Sequence, residues 1–165
     1  MIGERLQFHT ISNKFIYWSQ LGGLKQRSTT NAGIILTYII HLGWVKNLIT
    51  SILAFDITQF FPSLNYQLLP FILDKASLDQ RVSNFFRNYL VRKKTKYIWN
   101  NFISPFFDIK IGVRQDSALL PILSALYISP VFHSLEKRLK ILKIPISMIS
   151  FVDDGLFVFQ SKSLL

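Results

Sequence analysis

Nine acidic side chains are spread over the 165 residues, and three of them stand where chemistry could use them. Asp153 and Asp154 are adjacent in Ser150-Phe151-Val152-Asp153-Asp154-Gly155-Leu156-Phe157-Val158, between two apolar runs. Asp56 ends the run Leu48 to Ile57, which is rich in Ile, Leu and Phe. Apolar runs on both sides of the pair read as strand, and Asp-Gly is a hairpin turn signal. The pair is therefore expected at the tip of a hairpin, with Asp154-Gly155 as the turn. Taken alone, these residues also fit a plain turn in which Asp154-Gly155 supplies the positive φ and Asp153 is merely solvated. If Asp56 lies beside the tip, three carboxylates converge, which is unfavourable unless a cation neutralises them. Mg2+ prefers carboxylate oxygens, keeps several waters and is commonly completed by substrate phosphates. Two such ions, about 4 Å apart, support in-line phosphoryl transfer, one at the attacking oxygen and one at the leaving group.

Composition narrows the partners. Lys and Arg number 19 against nine acids, a net charge of +10, in a chain that is half hydrophobic and holds 15 Phe. That is enough apolar material for a core, and it excludes a disordered chain. The charge points to a polyanion or a membrane surface. The absence of cysteine excludes a disulfide framework and a thiolate metal site. Met1-Ile2-Gly3-Glu4-Arg5 lacks the basic start and apolar run of a secretion signal, so the chain is not expected to be secreted. Ser28 to Val45 and Ser117 to Leu135 carry no Lys, Arg, Asp or Glu over the length of a spanning helix. The first opens on a helix cap, and the second contains Pro121, Ser124, Ser129, Pro130 and His133. Both read as helices buried in a larger fold, with no membrane span.

The elements that must position the three acids follow in order. Glu4-Arg5-Leu6 suggests the end of a helix. Gln20 to Arg27 is a basic, glycine-containing loop. Ser28 or Thr29 caps a helix through Ala32, Ile35, Leu36, Ile39 and Ile40, closed by Gly43. Leu48 to Ile57 reads as a buried strand. Ser63 caps a helix through Leu68, Leu69 and Ile72, and a second helix runs from about Leu78 to Leu90. Tyr97 to Ile111 reads as a hairpin turning at Asn100-Asn101 and ended by Gly112. Ser117 caps the most apolar helix, to about Leu139, whose basic last turns suit the helix dipole. Ile146 to Gln160 is the second hairpin. The layout is α+β, with helices on a mostly antiparallel sheet, in a single domain with no internal repeat or linker. Such a sheet can set the end of the Leu48–Ile57 strand beside the tip of the last hairpin.

Four stretches together resemble a known family. Ala54-Phe55-Asp56-Ile57-Thr58-Gln59-Phe60-Phe61-Pro62-Ser63-Leu64 looks like the first catalytic motif of reverse transcriptases. Gly112-Val113-Arg114-Gln115-Asp116-Ser117-Ala118-Leu119-Leu120-Pro121-Ile122-Leu123 looks like their second palm motif, and Phe151-Val152-Asp153-Asp154 is similar to their aromatic-x-Asp-Asp signature. Gln20-x-Gly22-x-x-x-x-Arg27-Ser28-Thr29-Thr30 resembles a pattern of non-LTR (LINE-like) retrotransposon enzymes. Their order and spacing make the set more specific than any one motif. The resemblance implies the palm of a right-hand polymerase with part of the fingers, about residues 1–47 as fingers and about 48–165 as palm.

The resemblance also implies roles. Asp56, Asp153 and Asp154 would be the catalytic metal ligands for two Mg2+, with Mn2+ as substitute. Phe61 would sit under the sugar of the incoming deoxynucleoside triphosphate and exclude a 2′-hydroxyl; read alone it is equally a core aromatic. Gln115 and Ser117 would line the nascent base pair, and Pro121 would shape the start of the helix after them. Lys25, Arg27, Arg92, Lys93 and Lys94 would contact the RNA template or DNA primer, although the last three also fit a solvated hairpin entrance. Asp116 stands where the family has Gly, Arg114 replaces a usual Pro or Gly, and Leu120 replaces a usual Ser. A carboxylate at 116 would repel phosphates, although it could also cap the following helix. Later palm segments and a thumb have no counterpart in the 165 residues. The expectation is therefore a partial RNA-directed DNA polymerase, inactive on its own, nuclear or cytoplasmic if expressed. The alternative is a retrotransposon remnant that at most binds nucleic acid.

Overall fold

The structure is a computed structural model and describes residues 2–65, 67–76, 78–91, 94–109, 112 and 117–163. The fold is α+β with antiparallel sheets. Its centre is a three-stranded sheet of order β1-β7-β6, where β1 is Ile49–Asp56, β6 is Ile146–Phe151 and β7 is Asp154–Ser161. Two smaller ladders lie between the helices: β2 (Lys94–Thr95) with β5 (Phe107–Asp108), and β3 (Ile98–Trp99) with β4 (Phe102–Ile103). They are two levels of one hairpin, turning at Asn100-Asn101 as expected, with Asn100 at φ 53°.

The helices are α1 (Ile2–Ser12), α2 (Thr29–Val45), α3 (Phe60–Ser63), α4 (Leu68–Lys75), α5 (Gln80–Val91) and α6 (Leu120–Ile141). Helix α6 supplies the core: Leu120, Ile122, Leu123, Ala125, Leu126, Ile128 and Phe132 are all buried. Against them pack Leu6 of α1, Leu69 and Leu73 of α4, Phe86 of α5 and Met148 of β6. The buried Ser129 hydroxyl of α6 is paired on both sides. Ser129 Oγ accepts the Tyr17 N–H at 2.9 Å and donates to the Ala125 carbonyl at 2.6 Å. No helix among the described residues is long and apolar enough to cross a membrane.

Helix α2 starts as its sequence dictates. Ser28 is the N-cap, and its hydroxyl accepts the Asn31 N–H while Asn31 reaches back to the Ser28 N–H. Its end differs from expectation. Gly43 lies inside the helix, and the left-handed residue that closes it is Asn47, at φ 52°. The Leu48 N–H returns to the Gly43 carbonyl and the Asn47 N–H to the Trp44 carbonyl, a Schellman closure. Gly43 instead lies close against the sheet: a Cβ there would come 2.5 Å from Gln160 Nε2 and 2.8 Å from Thr50 Oγ1, and those side chains would have to shift. The helix thus rides directly on the sheet.

Other local expectations are corrected in the same way. Helix α1 runs on to Ser12, well past Glu4-Arg5-Leu6. Ser63 does not cap α4; it is the last residue of the one-turn helix α3, and its hydroxyl donates to the Phe60 carbonyl. Strand β1 is an edge strand rather than a buried one, with Ile52 and Leu53 exposed. Its apolar residues gave a burial signal, but an edge strand has a neighbour on one side only. Truncating the fully buried Leu123 to Ala is expected to cost about 2–5 kcal/mol in urea denaturation. Leu53→Ala in β1 is expected to cost less than about 1 kcal/mol.

Candidate active site

Asp56 and Asp154 come from strand ends and Asp153 from the turn between β6 and β7, and the register decides their neighbours. Strand β1 runs antiparallel to β7, pairing Asp56 with Asp154, Phe55 with Gly155 and Leu53 with Phe157. Directly paired residues share a face, so Asp56 and Asp154 project from the same side of the sheet. Thr50 and Gln160, paired in the same register parity, lie on that side too, and Gln160 donates to the Ile39 carbonyl of α2 at 2.7 Å. The opposite side carries Phe55, Phe157 and Met148 into the core. Asp153 is in the turn, and its carbonyl accepts the Ile57 N–H at 3.2 Å. The three carboxyl groups are thus brought to one end of the sheet, Asp56 and Asp154 exposed and Asp153 half-buried.

The turn is not where the Asp-Gly signal puts it. Asp154 and Gly155 belong to β7, and the turn residues are Val152 and Asp153. Val152 carries the positive φ, 61°. A left-handed conformation costs an L-residue about 1–2 kcal/mol, and it is rare for a β-branched one. Gly155 is needed because the Phe55 ring lies over it; a Cβ would meet Phe55 Cζ at 2.1 Å. The ring is held there by stacking on Phe157, centroids 5.0 Å apart.

Val152 is held by the loop that follows α1. Gln20 is fully buried, and its Oε1 accepts the Val152 N–H at 3.2 Å while its Nε2 donates to the Val152 carbonyl at 3.4 Å. The backbone of this loop lies along β6: the Leu21 N–H donates to the Ser150 carbonyl and the Ser150 N–H to the Ser19 carbonyl. Gly22 allows this approach, since a Cβ there would lie 2.4 Å from the Val152 nitrogen. The neighbouring Gly23, at φ 68°, rests on Pro121, where a Cβ would come within 2.5 Å of the ring. Gly112, at φ 88°, docks on Pro62 in turn, and its N–H donates to the Leu64 carbonyl at 2.9 Å. Close contacts therefore join Gly22 to Val152, Gly23 to Pro121 and Gly112 to Pro62, in places where a Cβ on the glycine would not fit, and a backbone hydrogen bond joins Ile57 to Asp153.

The remaining site residues take these positions. Phe61 is half-buried in α3, tilted against Phe60 and packed on the core. Ser117 is bonded to Tyr89 of α5, hydroxyl to hydroxyl at 2.6 Å, and accepts the Leu119 N–H. Pro121 lies in the first turn of α6. Lys25 pairs with Glu4 across the surface, and this ion pair holds the Glu4 carboxyl below its usual range. The Arg27 guanidinium donates to the Trp18 and Gln20 carbonyls, and burial lowers its pKa. Lys94 is exposed in β2, apart from these contacts. Gln115, Asp116, Arg114, Arg92 and Lys93 lie outside the described residues.

As a cation site, the donor chemistry fits: all three groups are carboxylates placed by backbone at one sheet end, as Mg2+ requires. Among the described residues, however, no three His, Cys, Asp or Glu side chains are gathered around one point. The fit is therefore one of donor type and backbone position. Sequence reasoning missed Gln20 and Gly22 as supports of the turn, and Gly23 as the contact of the same loop with Pro121. Two adjacent glycines beside an uncharged amide are a signal of close backbone approach, but not of the partner.

Because the Gly22 neighbour is backbone, which cannot swing aside, Gly22→Ala is expected to lower stability by about 1–3 kcal/mol. Gly33, inside α2 with open space around it, is expected to do the reverse. Gly33→Ala should stabilise by about 0.5–1 kcal/mol, read from the same denaturation curves.

Compared with known proteins, the chain matches no protein-family model and no curated protein.

Proposed function

We propose that this chain is the palm and part of the fingers of an RNA-directed DNA polymerase of the non-LTR retrotransposon type. One observation carries the reading: described residues from four stretches far apart in sequence, each stretch resembling a motif of that family, meet in close contacts (Gly22 with Val152, Gly23 with Pro121, Gly112 with Pro62), while β1 and β7 pair Asp56 with Asp154. Asp56, Asp153 and Asp154 would hold Mg2+, which when bound activates the primer hydroxyl and neutralises the triphosphate. The chain's own residues do the positioning. Strand pairing holds Asp56 and Asp154 across from each other, and the turn presents Asp153. Phe61, wedged between Phe60 and the core, offers a rigid ring wall against a sugar 2′-hydroxyl. Lys25, Arg27, Arg92, Lys93 and Lys94 supply cationic contacts for the RNA template and DNA primer, in a chain whose net charge is +10.

One feature favours a second reading. Asp116 puts a carboxylate where the family has Gly, in the stretch that would approach template and nucleotide phosphates. On that ground the chain is a catalytically inactive remnant that binds nucleic acid through charge alone.

Primer extension on an RNA template with Mg2+ and deoxynucleoside triphosphates separates the two. The polymerase reading expects incorporation, raised by Asp116→Gly and lowered at least about 100-fold by Asp56→Asn or Asp153→Asn, since even groups that only support a metal carry 10–100-fold. No incorporation by either the wild type or Asp116→Gly, together with binding that falls linearly as log salt rises, selects the remnant. In whichever form is active, Phe61→Val is expected to raise ribonucleotide use relative to deoxynucleotide. An unchanged ratio removes the role of Phe61.

A further inference from the structure

We infer that Gln20 is a positioning residue for Asp153: its buried amide holds Val152 in the left-handed conformation and so sets where the Asp153 carboxylate stands. The inference rests on the polymerase reading for the use made of that carboxylate. The contacts themselves do not.

Asp154 needs no such help. It is in β7, paired with Asp56 on one side and Phe151 on the other, so the ladder fixes it. Asp153 is outside the ladder; its carbonyl is tied to the Ile57 N–H, and the direction of its side chain follows from the peptide before it. That peptide belongs to Val152, at φ 61°, a conformation that Val resists. Nothing in Val favours the left-handed form, so the surroundings must impose it. Gln20 is placed to do so: it binds both the N–H and the C=O of this one residue. A neutral amide is the group that offers a donor and an acceptor side by side.

Gln20 is itself immobilised. Its side chain is fully buried, its Oε1 also accepts the Gly22 N–H at 3.4 Å, and its carbonyl accepts from Arg27. Its N–H donates to the Tyr17 carbonyl at 3.0 Å, and the residue bridges to Ser150 of β6. The clamp is therefore a rigid part of the fold closing on a strained turn. Lost hydrogen bonds at Gln20 would let Val152 relax to negative φ and re-aim the following peptide, displacing Asp153 while leaving Asp56 and Asp154 in register.

The test uses the full chain with Gln20→Met, which keeps length and removes both hydrogen bonds. Amide hydrogen exchange read by NMR is expected to show the Val152 N–H exchanging about tenfold faster. The Ile149 and Leu156–Val158 amides should stay as in the wild type. Binding of Mn2+, followed by electron paramagnetic resonance, is expected to weaken about 10-fold or more, as loss of a supporting group does. If Gln20→Met does not fold, Gln20→Asn replaces it, because it keeps a polar amide but is one methylene too short to reach the Val152 N–H and C=O. Unchanged exchange at Val152 overturns the clamp. Faster exchange with unchanged Mn2+ affinity overturns its bearing on Asp153. A wild-type chain whose Mn2+ binding is insensitive to Asp153→Asn overturns the metal reading instead, and the exchange data then decide the clamp separately.

Discussion

The structure depends on the pairing of β7 with β1. Strand β6 reaches β7 through a tight turn, which local chain chemistry can arrange. Strand β1 arrives from much earlier in the sequence, and its register decides which residues face each other. A slip of one residue would move Asp56 to the core side and Phe55 to the outer side. The acids do nothing to prevent that slip, since carboxylates placed opposite each other repel. What prevents it is apolar. Phe55 lies flat over Gly155, the one residue with room beneath the ring, and stacks on Phe157. At the other end, Gln160 ties the same strand pair to α2. The candidate site is thus held in place by apolar packing and a glutamine tie remote from its carboxylates.

A second constraint acts at the turn. The loop after α1 lies along β6 and closes on Val152 through Gln20, with Gly22 at the point of contact. Gly23 carries the same loop onto Pro121, and Gly112 fits under Pro62. These glycines are not turn formers first; they mark places where two backbones meet and a Cβ would be excluded. They fix the loop after α1 against the β6–β7 turn and the start of α6, and Gly112 against α3. Lys25, paired with Glu4, and Lys94 are left on the outside.

Signals that depend on near neighbours were legible in the chain. Of the two expected caps, Ser28 and Thr29, Ser28 caps α2; the Asn100-Asn101 turn forms, and the long apolar helix fills the core. Signals that depend on distant neighbours were misread. Gly43 looked like a helix stop and is a contact with Gln160; Asp154-Gly155 looked like a turn and is strand. Strand β1 looked buried because it is apolar, whereas its edge position leaves it exposed. Ser63 looked like a cap and ends the helix before it.

The sequence by itself determined the α+β class, the run of helices and hairpins, and the placing of the three acids at a strand end and a hairpin tip, because hydrophobic period and capping act over a few residues. It also held the candidate site residues, as types in order. Only the tertiary structure decided that Asp56 faces Asp154, that Val152 rather than Gly155 takes the left-handed position, and that a buried glutamine from another loop holds it there. The physical reason is the same in each case. Register, close backbone approach and an imposed φ are set by atoms that come together only when the chain has folded.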